Sequence, residues 1–68
     1  MSFGQNLQFL RKMHKKMTQE ELAEKMNVSR QTISKWESNQ SSPDIQSCKA
    51  MADVFGISLE ELLDERKK

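Results

Sequence analysis

The sequence predicts an all-α chain of five short helices packed as one small domain. Three observations lead there. Apolar residues recur at three- and four-residue spacing along most of the chain. Two capping boxes, Thr18 with Glu21 and Ser58 with Glu61, mark helix starts. Asn27 and Gly56 stand where helices must stop, because both residue types tolerate the left-handed backbone of a sharp turn. At 68 residues there is room for one modest core, near the lower limit for folding alone.

Helix one spans about Ser2 to Lys15. Phe3, Leu7 and Leu10, followed by His14 or Met17, keep helical spacing along it. Helix two begins at Thr18, whose hydroxyl can accept the Glu21 N–H while the Glu21 carboxylate reaches back to the Thr18 N–H. Leu22, Ala23 and Met26 form its apolar face, and Glu20, Glu21, Glu24 and Lys25 cover the rest. Asn27 ends it, Val28 packs back on the core, and Ser29 caps the next helix.

Helix three runs from about Arg30 to Glu37. Ile33 and Trp36 point one way, while Arg30, Gln31, Ser34 and Lys35 form two i,i+4 rows pointing the other way. The centres of the two faces lie about 170° apart. Arginine and lysine suit guanine and glutamine suits adenine in the major groove. A merely solvated face more usually carries Glu–Lys pairs. Two helices joined by a turn of about three residues, the second with such a face, have the layout of a helix-turn-helix at about residues 18–37 that reads DNA.

After a Ser38–Ser42 loop, Pro43 precedes Asp44, which caps a fourth helix carrying Ile45, Cys48, Met51, Ala52 and Phe55. Gly56 stops it. Ser58 and Glu61 then start a short fifth helix with Leu59, Leu62 and Leu63. Arg66-Lys67-Lys68 would complement that helix's C-terminal dipole or fray.

Gln19, Ala23, Asn27, Val28, Ile33 and Trp36 occupy the first, fifth, ninth, tenth, fifteenth and eighteenth places of a known pattern. In these positions the chain resembles the phage repressor/Cro family, also called the XRE family of bacterial regulators. The resemblance continues through Ser42-Pro43-Asp44, Ala52, Phe55-Gly56-Ile57-Ser58 and Leu62-Leu63, and covers roughly residues 5 to 63. It implies a compact five-helix, repressor-like domain that binds double-stranded operator DNA, usually as a homodimer, in a prokaryotic regulator of transcription, expected to be a repressor. No apolar run approaches membrane-spanning length and nothing resembles a secretion signal, so a cytoplasmic protein is expected. Leu22, Ala23, Asn27, Val28, Ile33 and Trp36 would be the structural frame of the motif.

Base edges would then be read by Arg30, Gln31, Ser34 and Lys35. Backbone contacts would come from Thr18, Gln19, Ser29, Thr32, Ser38, Asn39 and Gln40. In the family the glutamine at the place of Gln19 contacts a phosphate and braces the first reader of the next helix, here Arg30 or Gln31. Ile57, Leu59 and Leu63 offer apolar surface for pairing two copies.

The chain departs from the family in three ways. The connection from Arg11 to Gln19 is one residue longer than the commonest spacing, which leaves open whether Arg11 or Lys12 pairs with Glu37. The Ser38–Ser42 loop has no lysine or arginine. Asn39 replaces a frequent glycine. Phosphate contacts then fall to backbone N–H groups, the start of helix two, and Asn39 or Gln40.

The net charge of +1 says little, but its distribution says more. Residues 1–43 hold seven basic and four acidic side chains, and residues 44–68 hold four basic and six acidic. The positive end is therefore the one with the proposed DNA face. One cysteine excludes a disulfide framework, and Cys48 reads as a small buried hydrophobe. His14, among Lys12, Lys15 and Lys16, reads as a surface residue. The methionines read as core filler. There is no catalytic constellation, phosphate loop, metal site, cofactor signature or evident small-molecule site, so an enzyme is not expected. The runner-up is a helical protein-interaction module, such as an antitoxin-type domain that holds a partner.

Overall fold

The computed structural model describes residues 2–64; Met1 and the Arg66-Lys67-Lys68 tail lie outside them. Five α-helices succeed one another: α1 Phe3–Phe9, α2 Gln19–Met26, α3 Arg30–Glu37, α4 Ile45–Phe55 and α5 Leu59–Leu63. Among the described residues there is no strand, and no helix is long and apolar enough to cross a membrane.

Each helix starts on a side chain that accepts an otherwise unused backbone N–H. Ser2, Thr18, Ser29, Asp44 and Ser58 serve α1 to α5 in turn. The expected boxes at Thr18–Glu21 and Ser58–Glu61 are both formed. A third joins Ser2 to Gln5.

Three helix ends share one device. Asn27, Asn39 and Gly56 take positive φ after α2, α3 and α4. The next residue then donates its N–H back across the last turn: Val28 to Ala23 O, Gln40 to Lys35 O and Ile57 to Ala52 O, at 2.9–3.0 Å. This closure satisfies carbonyls that the helix itself leaves open.

Helix α1 ends differently. It runs on through a wider turn, Leu10–His14, in which the Lys15 N–H reaches back five residues to Leu10 O. The Met17 N–H reaches back six residues to Arg11 O, with Lys16 at φ 55. A turn of this width absorbs one extra residue without shifting the helix before it. It accounts for the long α1–α2 connection.

The core is continuous. Leu7, Leu22, Ile33, Met51, Phe55 and Leu62 are fully buried, and Leu10, Ala23, Trp36, Cys48 and Ala52 nearly so. Helix α3 packs between α1 and α2, and α5 closes the far side against α1 and α4. Of the two candidates for the end of the helix-one stripe, Met17 packs against the core, while His14 is exposed with Nε2 3.0 Å from Phe55 O.

Two apolar expectations are corrected. Ile45 is 56% exposed. It is the first residue of α4 and lies roughly 70° from the centre of the buried stripe, so it overhangs the packed face. Met13 is 65% exposed, so it is not core filler; within the wide turn the buried residues are Leu10 and Arg11.

Candidate nucleic-acid interface

Helix α3 is fixed first by its start. Ser29 Oγ accepts the Thr32 N–H at 3.2 Å and lies 2.9 Å from the Thr32 hydroxyl. Ile33 and Trp36 are buried. That orientation leaves Arg30, Gln31 and Lys35 exposed and Ser34 half-buried on the opposite side. The four expected base readers therefore share one outward face. Asn27 is itself exposed; it frames the motif through its left-handed backbone rather than by burial.

Behind α3 lies a buried charge pair. Arg11 and Glu37 are 6% and 8% exposed. Arg11 Nε and Nη2 donate to the two Glu37 carboxylate oxygens. This settles the pairing: Arg11 is Glu37's partner and Lys12 is exposed. The third guanidinium nitrogen, Nη1, donates to Met17 O at 2.8 Å. Arg11 thus ties α1 to the end of α3 and to the backbone that leads into α2.

Gln19 extends the pair to the surface. Its Nε2 donates to Glu37 Oε1 at 3.0 Å, and its Oε1 accepts from Arg30 Nη1 at a long 3.4 Å. A continuous polar path runs from the buried guanidinium to the first outward residue of α3. The bracing of the reading helix by Gln19 is directed at Arg30, not Gln31.

The start of α2 keeps open donors. Thr18 Oγ1 takes the Glu21 N–H and Thr18 O takes the Leu22 N–H, which leaves the Gln19 and Glu20 N–H groups unused by the helix. The open groove beside it, lined by Glu20, Glu21, Glu24, Ala23, Val28, Thr18 and Arg30, carries three carboxylates.

The α3–α4 loop offers less than its sequence suggests. Asn39 Oδ1 accepts the Gly4 N–H and Asn39 Nδ2 donates to Ser2 Oγ, both at 3.0 Å. The expected DNA contact at Asn39 is therefore engaged in holding the start of α1. The N–H groups of Asn39, Gln40 and Ser41 bond back to Trp36 and Lys35 carbonyls, and Ser38 Oγ donates to Lys35 O. Gln40 keeps an exposed side chain.

Two residues missed from sequence hold this frame. Gly4 is buried where α1 meets the end of α3, and a Cβ there would run into the Glu37 and Trp36 carbonyls. Asn6 is 1% exposed and donates Nδ2 to Leu62 O at 2.8 Å, binding α1 to the end of α5. No local pattern marks either residue, since each answers to a partner more than thirty residues away.

Of the expected pairing residues, Ile57 and Leu59 are half-buried against the core, and Leu63 is 43% exposed. Leu63 borders a shallow groove with Phe3, Ser42, Pro43 and Cys48. The Cys48 thiol is pushed up from its ordinary pKa, first by burial and then by the Asp44 carboxylate nearby.

Comparison with known proteins adds to this geometry. The helix-turn-helix family model matches residues 7–62. The transcriptional activator BcrR of Enterococcus faecalis is 46% identical over 63 residues, which is 93% of this chain and 30% of that protein. The immunity repressor of Bacillus phage phi105 is 34% identical over 96% of this chain and 44% of its own length. The chain thus spans less than half of either relative. The N-terminal DNA-binding domain of SinR from Bacillus subtilis superposes with a TM-score of 0.84 at 34% identity, over 97% of this chain and 96% of that domain.

Proposed function

This chain belongs to the helix-turn-helix family, and from that premise we propose that it binds double-stranded DNA through α3 as the DNA-binding part of a regulator of transcription. The carrying observation is the outward face of α3. Arg30, Gln31, Ser34 and Lys35 stand together on a helix whose other side is locked into the core.

In this reading α3 enters the major groove and those four side chains read base edges. The free N–H groups at the start of α2 and the Gln19 amide meet the backbone, with Thr18, Ser29, Thr32, Ser38 and Gln40 around them. The relatives include both a transcriptional activator and a repressor by name. Two copies would pair through the Leu63 end and place two reading helices on one side of the duplex.

Selection of bound sequences from a random duplex pool tests the reading. A short recurring motif that weakens on Gln31→Ala supports it. A protein that recovers no duplex above background, even at low salt, overturns it. A partner-holding module without DNA binding would give that second result.

A further inference from the structure

Resting on the DNA reading above, we propose that Lys12, on the wide turn after α1, and Lys15 and Lys16, just beyond it, grip backbone phosphates flanking the bases that α3 reads. These residues form a second, sequence-independent contact with the same duplex.

The charge pattern comes first. Residues 1–17 contain Arg11, Lys12, Lys15 and Lys16 and no aspartate or glutamate. Arg11 is buried on Glu37. The three lysines are exposed, and among the described residues none has a carboxylate partner. Met13 and His14 are exposed between them, and no carboxylate interrupts the segment.

Placement comes second. Lys16 lies two residues before Thr18 and three before Gln19, so its Cα is within about 11 Å of the open start of α2. The turn is also docked, not loose. Arg11 Nη1 holds Met17 O, and the Lys15 and Met17 N–H groups close back onto the Leu10 and Arg11 carbonyls. Widening the turn keeps Arg11 in register with Glu37 and places the extra residue in the exposed lysine segment.

Need comes third. Duplex binding draws most of its strength from neutralised phosphates. The Ser38–Ser42 loop has no basic residue, its N–H groups are largely engaged, and Asn39 faces α1. On α2 the first turn carries Glu20 and Glu21. These lysines are the concentrated positive charge on the segment that leads into α2, the first helix of the motif. A duller role, complementing the dipole at the end of α1, predicts no effect on DNA.

The test is the double variant K15Q/K16Q beside wild type in a salt series. One probe is a long mixed-sequence duplex. The other is a selected site, either with its flanks kept or trimmed to the read bases. We expect the slope of log affinity against log salt to become shallower by about 2 on both long duplexes. Affinity for the flanked site should fall on the order of tenfold at moderate salt, with little change on the trimmed site. Melting temperature should not move, and K15R/K16R should restore binding. A charge-matched pair, K25Q/K49Q, should bind as wild type does. The proposal is overturned if K15Q/K16Q matches wild type while wild type still binds, or if K25Q/K49Q weakens binding equally. Wild type that binds no duplex removes the DNA reading itself, and this proposal with it.

Discussion

Gln19 donates its amide to Glu37 Oε1 at 3.0 Å, and the same oxygen accepts from Arg11 Nη2 at 3.0 Å. One carboxylate thus holds both the first residue of α2 and the buried guanidinium of the wide turn after α1. Glu37→Ala leaves Arg11 buried without a counter-charge, and urea unfolding should show a loss of about 3–5 kcal/mol. Replacing both partners by apolar residues should cost less than that single change. A Glu37→Ala loss under about 1 kcal/mol would mean that the pair is not buried in solution. Gln19→Ala should leave stability nearly intact and weaken duplex binding.

The two faces of α3 should separate in mutagenesis. Gln31→Ala should lose about 1–3 kcal/mol of binding on the selected site, with less change on random DNA. Its melting temperature should barely move, because the side chain is exposed. Trp36→Ala should cost on the order of 3–5 kcal/mol of folding. An unfolded Gln31 variant beside an intact Trp36 variant would show that the faces are inverted.

Gly4 runs against helix propensity. In an exposed helix, alanine at such a position gains about 0.5–1 kcal/mol. Here a Cβ meets the Glu37 and Trp36 carbonyls. Gly4→Ala should therefore destabilise by about 1–3 kcal/mol, as overpacking does. A raised melting temperature would refute the close approach of α1 to α3.

Asp44 predicts an acid dependence. Its carboxyl is held below the ordinary 3.8, first by the Ser47 N–H and then by the Ser47 side chain. The folded value is depressed, so the contribution is complete above 3.8 and fades as pH falls through the folded value. Asp44→Asn keeps an N-cap but removes this titration. Wild type should lose stability relative to Asp44→Asn only in that acid range, as read by thermal melts across pH. Parallel curves below pH 3.8 would refute it.

Symmetry is testable by footprinting and stoichiometry. Two protomers should occupy a pseudo-palindrome with half-site centres about 10–11 base pairs apart. The exposed apolar surface at the Leu63 end is small and its flank carries Glu60 and Asp64, so free protein should be mostly monomeric at micromolar concentration. One protomer per site with no inverted repeat would remove the dimer and leave DNA binding standing.

Helix starts and two of the stops were legible because a cap acts within four residues. Thr18, Ser29, Asp44, Ser58, Asn27 and Gly56 all do what their local neighbours suggest. The outward face of α3 was legible because Ile33 and Trp36 fix the rotation of a regular helix. Gly4, Asn6 and Asn39 were not, since each answers to a distant segment: the end of α3, the end of α5 and the start of α1. The choice between Arg11 and Lys12 needed the wide turn, which spacing alone cannot distinguish from an ordinary one. Ile45 misled because periodicity gives a direction around a helix but not whether anything lies opposite.

The rear of α3 is fixed by core packing and the Arg11–Glu37 pair, while the side chains of Gln31, Ser34 and Lys35 make none of the hydrogen bonds that hold the fold. Lineages descended from this chain are thus free to drift at those three positions and acquire new target sequences without refolding. Arg30 is not equally free, because its guanidinium leans on Gln19. Positions 19 and 30 should change together, so that divergence in target choice leaves a paired signature across two helices.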